Sequence, residues 1–432
     1  MGKVLIWLTT VVLVAASWFM ALTRQPENHD EELAALRAQI DSALELDLIK
    51  RTIPLYGEAI KLAPDDPQWH YGLADALEAL DEKRAYQTAL AQASAQFPDD
   101  VTLGVRLLQA YKDDGACQKL VKTYKAASDA VRGHKGAVAL YNGCAWRTFP
   151  RSDAQYERIY PESGGYFKVE LLNKYGYLNS GGRLTITIQF DQARSFLDGW
   201  AAVRTDGEWY FIDDEGDRIQ AFEGAVAQDL YSFSEGYAVA KIDGKYGYVD
   251  KDLKRFAFGY DDARPFTGGV APVKKNGKWG LIDSEFNMVV EPSYDDVACA
   301  ESGVCTDHGR VAFEKSGQWR LYDLTGQRLG EGSWESVTAF GVATVVAQRG
   351  EGWEVVDETG KVVAKSTADE VRALSGGAMP VRDGEQWTYV DKDGHLLGDD
   401  TYTDAYPLTD EGEAVIGLAD GYKIVRFMGF ME

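Results

Sequence analysis

Three patterns of apolar and polar residues follow one another along the chain. Val4 to Leu22 is an uncharged run with Lys3 before it and Arg24 just beyond. From about residue 30 to 147, apolar residues recur three or four apart, as in Leu33, Leu36, Ile40, Leu44 and Leu48. That spacing lays one apolar stripe along a helix. From residue 166 the period falls to two, as in Ala271-Pro-Val273 and Trp279-Gly-Leu-Ile282. Alternation of this kind marks strands with one face toward a core. The predicted order is a membrane-length segment, a set of helices, and a long all-β region.

The helical part repeats. Ala63-Pro-Asp-Asp66 returns 34 residues later as Phe97-Pro-Asp-Asp100. Proline ends one helix and an aspartate caps the next. Trp69-His-Tyr-Gly-Leu-Ala-Asp-Ala-Leu77 lies between the two copies. The period and the paired helices resemble the tetratricopeptide repeat. Two to three units fit residues 35–147, though part of the family's packing set is missing. The resemblance implies a concave, peptide-binding face. Residues 148–165 hold Pro150, Pro161 and Gly164-Gly165, a linker composition.

The β region repeats more strongly. Gly277-Lys-Trp-Gly-Leu-Ile-Asp283 has near-copies at 207–213, 244–250 and 317–323. The last position reads Asn179, Asp213, Asp250, Asp283, Asp323, Asp357 and Asp391, with a worn copy near Phe427. The steps are 34, 37, 33, 40, 34, 34 and 36 residues. A second block precedes the heptad, for example Tyr260-Asp-Asp-Ala-Arg-Pro-Phe-Thr-Gly-Gly-Val-Ala-Pro-Val273. These two blocks in register resemble the bacterial WG (tryptophan–glycine, or KWG) repeat family over about eight units. Gly176, Gly247 and Gly280 keep the second glycine, while Tyr210, Arg320, Glu354 and Thr388 replace it.

Each repeated position has a structural use. Asn276-Gly277 and Asp243-Gly244 suit tight hairpin turns, which need positive φ. The terminal Asp caps a second turn, closed by glycine in Asp213-Asp-Glu-Gly216 and Asp357-Glu-Thr-Gly360. The glycine after Trp admits a close neighbour. Two half-buried strands and a weaker third are expected per unit. A single unit cannot bury its own face, so units must stack. A propeller-like ring is favoured over a solenoid because closure removes exposed edges, and the family resemblance points the same way.

Composition adds location and exclusions. The chain carries 68 Asp and Glu against 45 Lys and Arg, a net charge of −23. Such a surface repels phosphate backbones and argues against nucleic acid as a partner. The 4–22 run is long enough to span a bilayer. The competing reading is a signal peptide cut after Ala16. The apolar run continues through Trp18, Phe19, Met20 and Leu22, which favours an uncleaved anchor. Of the four cysteines, Cys299 with Cys305 and Cys117 with Cys144 are candidate disulfides of an exported chain.

Chemistry is hard to find. The five histidines form no metal-ligand spacing, and no GxSxG, P-loop or strand-linked GxGxxG occurs. Catalytic residues, metal and cofactor are all assigned as none. Trp209, Tyr246, Trp279, Trp319, Trp353 and Trp387 hold equivalent positions. Facing outward they would form a ligand-stacking ring; facing inward they are core, which is the favoured reading. The expected architecture is an α + β multidomain chain. Its parts are a tip and anchor (1–29), a tetratricopeptide-like domain (30–147), a linker (148–165) and a WG-type β-repeat domain (166–432). The expected role is a non-catalytic, membrane-anchored binding scaffold of the bacterial envelope with protein or peptide partners. The alternative is a cell-wall glycan-binding or glycan-hydrolysing factor.

Overall fold

The structure, a computed structural model, describes residues 29–152, 156–221, 227–339 and 344–430. The Val4–Leu22 run and the cleavage point at Ala16 lie outside these residues. Among the described residues no helix is long and apolar enough to cross a membrane. The chain divides into two compact units, one ending at Tyr141 and one beginning at Asn142.

The first unit is helical. Its elements are α1 (Asp30–Glu45), α2 (Ile49–Leu62), α3 (Pro67–Ala79), α4 (Lys83–Gln96), α5 (Val101–Asp113), α6 (Cys117–Ala126) and α7 (Asp129–Arg132); α8 (Lys135–Ala145) begins in it. Only the first part of the stripe read from the sequence is buried: Leu36 and Ile40 pack with Tyr56, Ala59 and Trp69 and Leu33 is partly buried beside them, while Leu44 and Leu48 are exposed. Both Pro-Asp-Asp copies act as caps. Asp66 accepts the Gln68 N–H at 3.0 Å, and Pro67 opens α3. Asp100 accepts the Leu103 N–H at 3.1 Å and the Tyr71 hydroxyl at 2.7 Å. The repeat also sets ties between copies. Gln96 donates to the Pro64 carbonyl at 2.6 Å, and Ser128 donates to the Pro98 carbonyl at 2.8 Å.

The second unit is an eight-blade β-propeller. Its eight small antiparallel sheets follow the sequence units one by one. The fourth blade shows the plan, with strands Asp262–Ala263, Val270–Lys275, Lys278–Asp283 and Met288–Tyr294 from the axis outward. The second and third strands are buried on both faces rather than one, because each blade is sandwiched between two others. Ala271, Val273, Leu281 and Ile282 are all fully buried. The extra, innermost strand is the two-residue Asp-Ala of the upstream block, too short for a periodicity signal.

Of residues 148–165, the described ones, 148–152 and 156–165, are part of the ring and not a linker. Thr148–Pro150 forms the outer strand of the eighth blade, pairing Thr148 with Phe427 and Pro150 with Val425. Arg158–Ile159 is the innermost strand of the first blade. Ser152 accepts the Ile424 N–H at 2.8 Å. Val415 and Ile424 of the eighth blade share a core with Ile159, Phe167 and Leu178 of the first. The chain thus closes the ring with strands from both ends of the domain, which leaves no sheet face to stack in a line. Prolines and glycines misled the linker reading, since Pro150 sits at an edge strand where no N–H is needed.

Candidate functional site at the ring axis

The heptad is spent on building the ring. In the fourth blade Asn276 and Gly277 take φ of 51° and 76°, as the hairpin turn requires. The Gly277 N–H donates to Asp261 at 3.1 Å, so the acid of the upstream block caps its own blade's hairpin. Asp191, Asp295 and Asp369 cap the turns of their own blades in the same way. The heptad lysine reaches the next blade: Lys245 bonds Asp261 at 2.8 Å, and Lys174 and Lys278 pair with Asp191 and Asp295. These lysines hold the three carboxyls below their usual range. The tryptophan lies under an arginine fifteen residues upstream, with Arg194 on Trp209 at 5.7 Å, Arg264 on Trp279 at 5.1 Å and Arg372 on Trp387 at 4.1 Å. The closing Asp283 accepts the N–H groups of Glu285 and Asn287, and the Asn287 bond leads in lowering its pKa.

The second glycine follows the register of the outer strand. In the first, third and fourth blades that strand bulges opposite the glycine. A Cβ on Gly280 would stand 2.3 Å from the Val290 carbonyl oxygen, and one on Gly176 would stand 2.7 Å from that of Ile186. In the second and sixth blades the outer strand pairs regularly there, Tyr210 with Ala221 and Glu354 with Lys365, and a side chain is accommodated. In the seventh blade the outer segment loops away between Leu397 and Tyr402, beside Thr388. The fifth blade bulges over a longer outer segment and carries Arg320.

The six equivalent aromatics do not form an exposed ring. Trp209, Trp279, Trp353 and Trp387 are buried, and Tyr246 and Trp319 are partly buried against neighbouring cores. Packing between blades consumes their faces, and these side chains are core rather than a ligand-stacking surface. Glu354 is the one acid at the glycine position, and it is buried. It accepts the Trp334 indole N–H at 2.9 Å and pairs with Lys365 at 3.0 Å and Arg349 at 3.3 Å. Two exposed acidic groupings, Asp213-Asp214-Glu215 and Asp391-Asp393-His395, bring ligand-type atoms together. Asp213 and Asp391 already accept two backbone N–H groups each, as turn caps do. Cys299 and Cys305 are joined by a disulfide, and Cys117 and Cys144 are each disulfide-bonded.

Two departures from the repeat meet at the axis. Lys168 stands in a row of the second strand that otherwise reads Ala202, Val239, Pro272, Ala312, Val346, Pro380 and Val415. The other departure is the step of 40 residues, which lengthens the fifth blade's first connection to residues 298–309. The disulfide closes this connection into a loop. Its Glu301 pairs with Lys168 and accepts the Ser195 hydroxyl at 3.1 Å. The first and fifth blades stand opposite in an eight-blade ring, so this pair spans the axis. Gly303 packs on Tyr231 of the third blade, and Thr306 donates to the Thr267 carbonyl of the fourth at 2.7 Å. The loop is therefore a plug.

The electrostatics of the plug are local. The Lys168 side chain is 6% exposed, and that of Glu301 is 40% exposed. The ammonium also bonds the Ala193 carbonyl at 3.3 Å and lies 4.0 Å from the Tyr160 ring centre. Burial pushes the Lys168 pKa down; Glu301 opposes this, and Arg194 and Arg158 add to the lowering. The sequence carried a signal for the site in that 40-residue step and the lone lysine, but only the fold brings them together.

The WG-containing repeat family matches residues 175–209, 228–246, 255–279 and 279–306. Residues 175–306 carry WG repeats. The matched span covers the first blade's third strand through the fifth blade's plug, where the heptads are best kept. No curated protein matches the chain. Solved structures with similar folds include the extracellular domain of BT4673 from B. thetaiotaomicron, 13% identical over 65% of this chain and 42% of that one, with a TM-score of 0.37. Kluyveromyces lactis Hsv2 is 13% identical over 52% of this chain and 90% of that one, with a TM-score of 0.35. PorZ of Porphyromonas gingivalis is 13% identical over 55% of this chain and 36% of that one, with a TM-score of 0.32. Agreement at this level carries no functional assignment.

Proposed function

We propose that the protein is a non-catalytic binding scaffold of the bacterial envelope, held by its N-terminal apolar segment, with a peptide or protein partner. One observation carries the reading: where the WG motif is best kept, as in the fourth blade, its turn, lysine, tryptophan, second glycine and closing aspartate each have a structural use within the ring. What differs between blades is then free to be used for recognition, and the largest difference is the axis plug. The helical unit, tetratricopeptide-like in its 34-residue period, supplies a second surface. Disulfide-bonded cysteines support an oxidising compartment. The glycan reading loses its support with the burial of Trp209, Trp279, Trp353 and Trp387. The test is chemical cross-linking in intact cells followed by purification of the full chain. Recovery of a defined partner protein, cross-linked to mapped residues of either unit, supports the scaffold. Recovery of wall glycan alone, or of the chain alone, overturns it.

A further inference from the structure

Lys168 and Ser195 offer two donors to two oxygens of one carboxylate. The ammonium takes one oxygen of Glu301 and the hydroxyl takes the other. Both donors belong to the first two blades, next to strands of fixed register. The acceptor arrives on a loop from the opposite side of the ring. Lys168 is also held without that loop, by the Ala193 carbonyl and the Tyr160 ring. The receptor half of the contact is thus built into the ring, and the ligand half is an appended loop. The carboxylate end remains reachable, since the Glu301 side chain is 40% exposed where that of Lys168 is 6% exposed.

A buried lysine at a row of Ala, Val and Pro is costly to keep unless something pairs with it. Plain packing would be served by the apolar residue the other blades carry. The loop is also more than a filler, because filling an axis needs no carboxylate. We infer that Lys168 and Ser195 form a carboxylate-binding site at the ring axis, and that Glu301 is its tethered resident ligand. The external ligand is a glutamate-like carboxylate presented by a loop of a partner protein, which displaces the plug. This rests on the protein-binding reading given above and names the chemistry of its axis site. Tethering gives the resident carboxylate an effective concentration on the order of millimolar, so only a partner with further contacts competes in the intact protein.

The experiment uses the full chain with Cys299→Ser, Cys305→Ser and Glu301→Ala together, which opens the loop and removes its carboxylate. The probe is a fluorescent, disulfide-closed peptide Cys-Ala-Glu-Ser-Gly-Val-Cys, read by anisotropy. The triple variant binds it at least tenfold more tightly than the unaltered chain. Adding Lys168→Met abolishes binding, and adding Ser195→Ala weakens it at least threefold, with near-UV circular dichroism reporting that the ring is intact. Competition by free glutarate identifies the carboxylate alone as sufficient; competition by the peptide only adds the loop backbone to what is recognised. Equal binding to the unaltered chain and the triple variant overturns the inference, as does binding that survives both Lys168→Met and Ser195→Ala. A partner captured in cells without peptide binding removes the axis site and leaves the scaffold. Peptide binding with no captured partner does the reverse.

Discussion

Replacing Gly280 by alanine tests whether the second glycine exists for the outer-strand bulge. The new Cβ would lie 2.3 Å from the Val290 oxygen, 2.9 Å from the Pro292 nitrogen and 3.1 Å from the Glu291 carbonyl carbon. All three are backbone atoms of one strand, so no side-chain rotation relieves the clash. Reaching ordinary contact means moving the strand Met288–Tyr294 outward by about 1 Å. Overpacking of this kind costs roughly 1–3 kcal/mol, and a rigid backbone neighbour places it at the upper end. Restricting the unfolded chain returns about 0.4–1 kcal/mol. The net expectation is a loss of about 2 kcal/mol. With a urea m-value of about 3 kcal/mol per molar, the ring's unfolding midpoint falls by roughly 0.7 M. Tryptophan fluorescence follows the transition, and hydrogen exchange shows faster exchange confined to 288–294 and its neighbours. Gly57→Ala is the control: it lies inside α2 with nothing within 4 Å of the added atom. It should stabilise the helical unit by about 1 kcal/mol. An unchanged midpoint for Gly280→Ala, with the expected gain at Gly57, would refute the bulge explanation.

Other consequences follow from named contacts. The Glu354 carboxyl is held below its ordinary pKa: burial works against this, and the Trp334 and Lys365 bonds prevail. A depressed folded pKa means stability that is full above the unfolded value and lost as pH falls through the folded one. Glu354→Gln should therefore cost about 2 kcal/mol at neutral pH and flatten the acid limb of a stability–pH profile below about 4.5; an unchanged acid limb counts against the buried ion group. Asp100→Ala removes the α5 cap and the acceptor of Tyr71, and should lower helical-unit stability by about 1–2 kcal/mol in thermal circular dichroism. A change confined to the ring's transition would contradict that assignment.

The parts that were legible in the sequence are those that repeat. Hairpin turns at Asn276-Gly277, capped turns at Asp283 and caps at Asp66 and Asp100 are local, so a few consecutive residues specify them. The fold's non-local devices were not legible. Arg264 over Trp279 is a contact between two blocks already seen, but nothing short of the folded blade shows that the two face each other. Thr148–Pro150 joins Val425–Phe427 at the other end of the domain, and its composition resembles that of any loop. Lys168 and Glu301 are separated by 133 residues and meet only because an eight-fold ring sets the first and fifth blades opposite. Departures from a repeat were the useful signal: the lone Lys168, the lengthened step to Asp323, and Glu354 in a glycine's place.

The central claim is that the ring is finished architecture and that partners are recognised at the positions where blades differ. It is tested most directly by placing a photo-crosslinking amino acid at Ser302 in the axis plug and, separately, at Thr325 in a repeated outer turn, then irradiating intact cells. The account predicts a discrete cross-linked partner protein from Ser302 and none from Thr325. Cross-links from Thr325 alone, or from neither site, would contradict it.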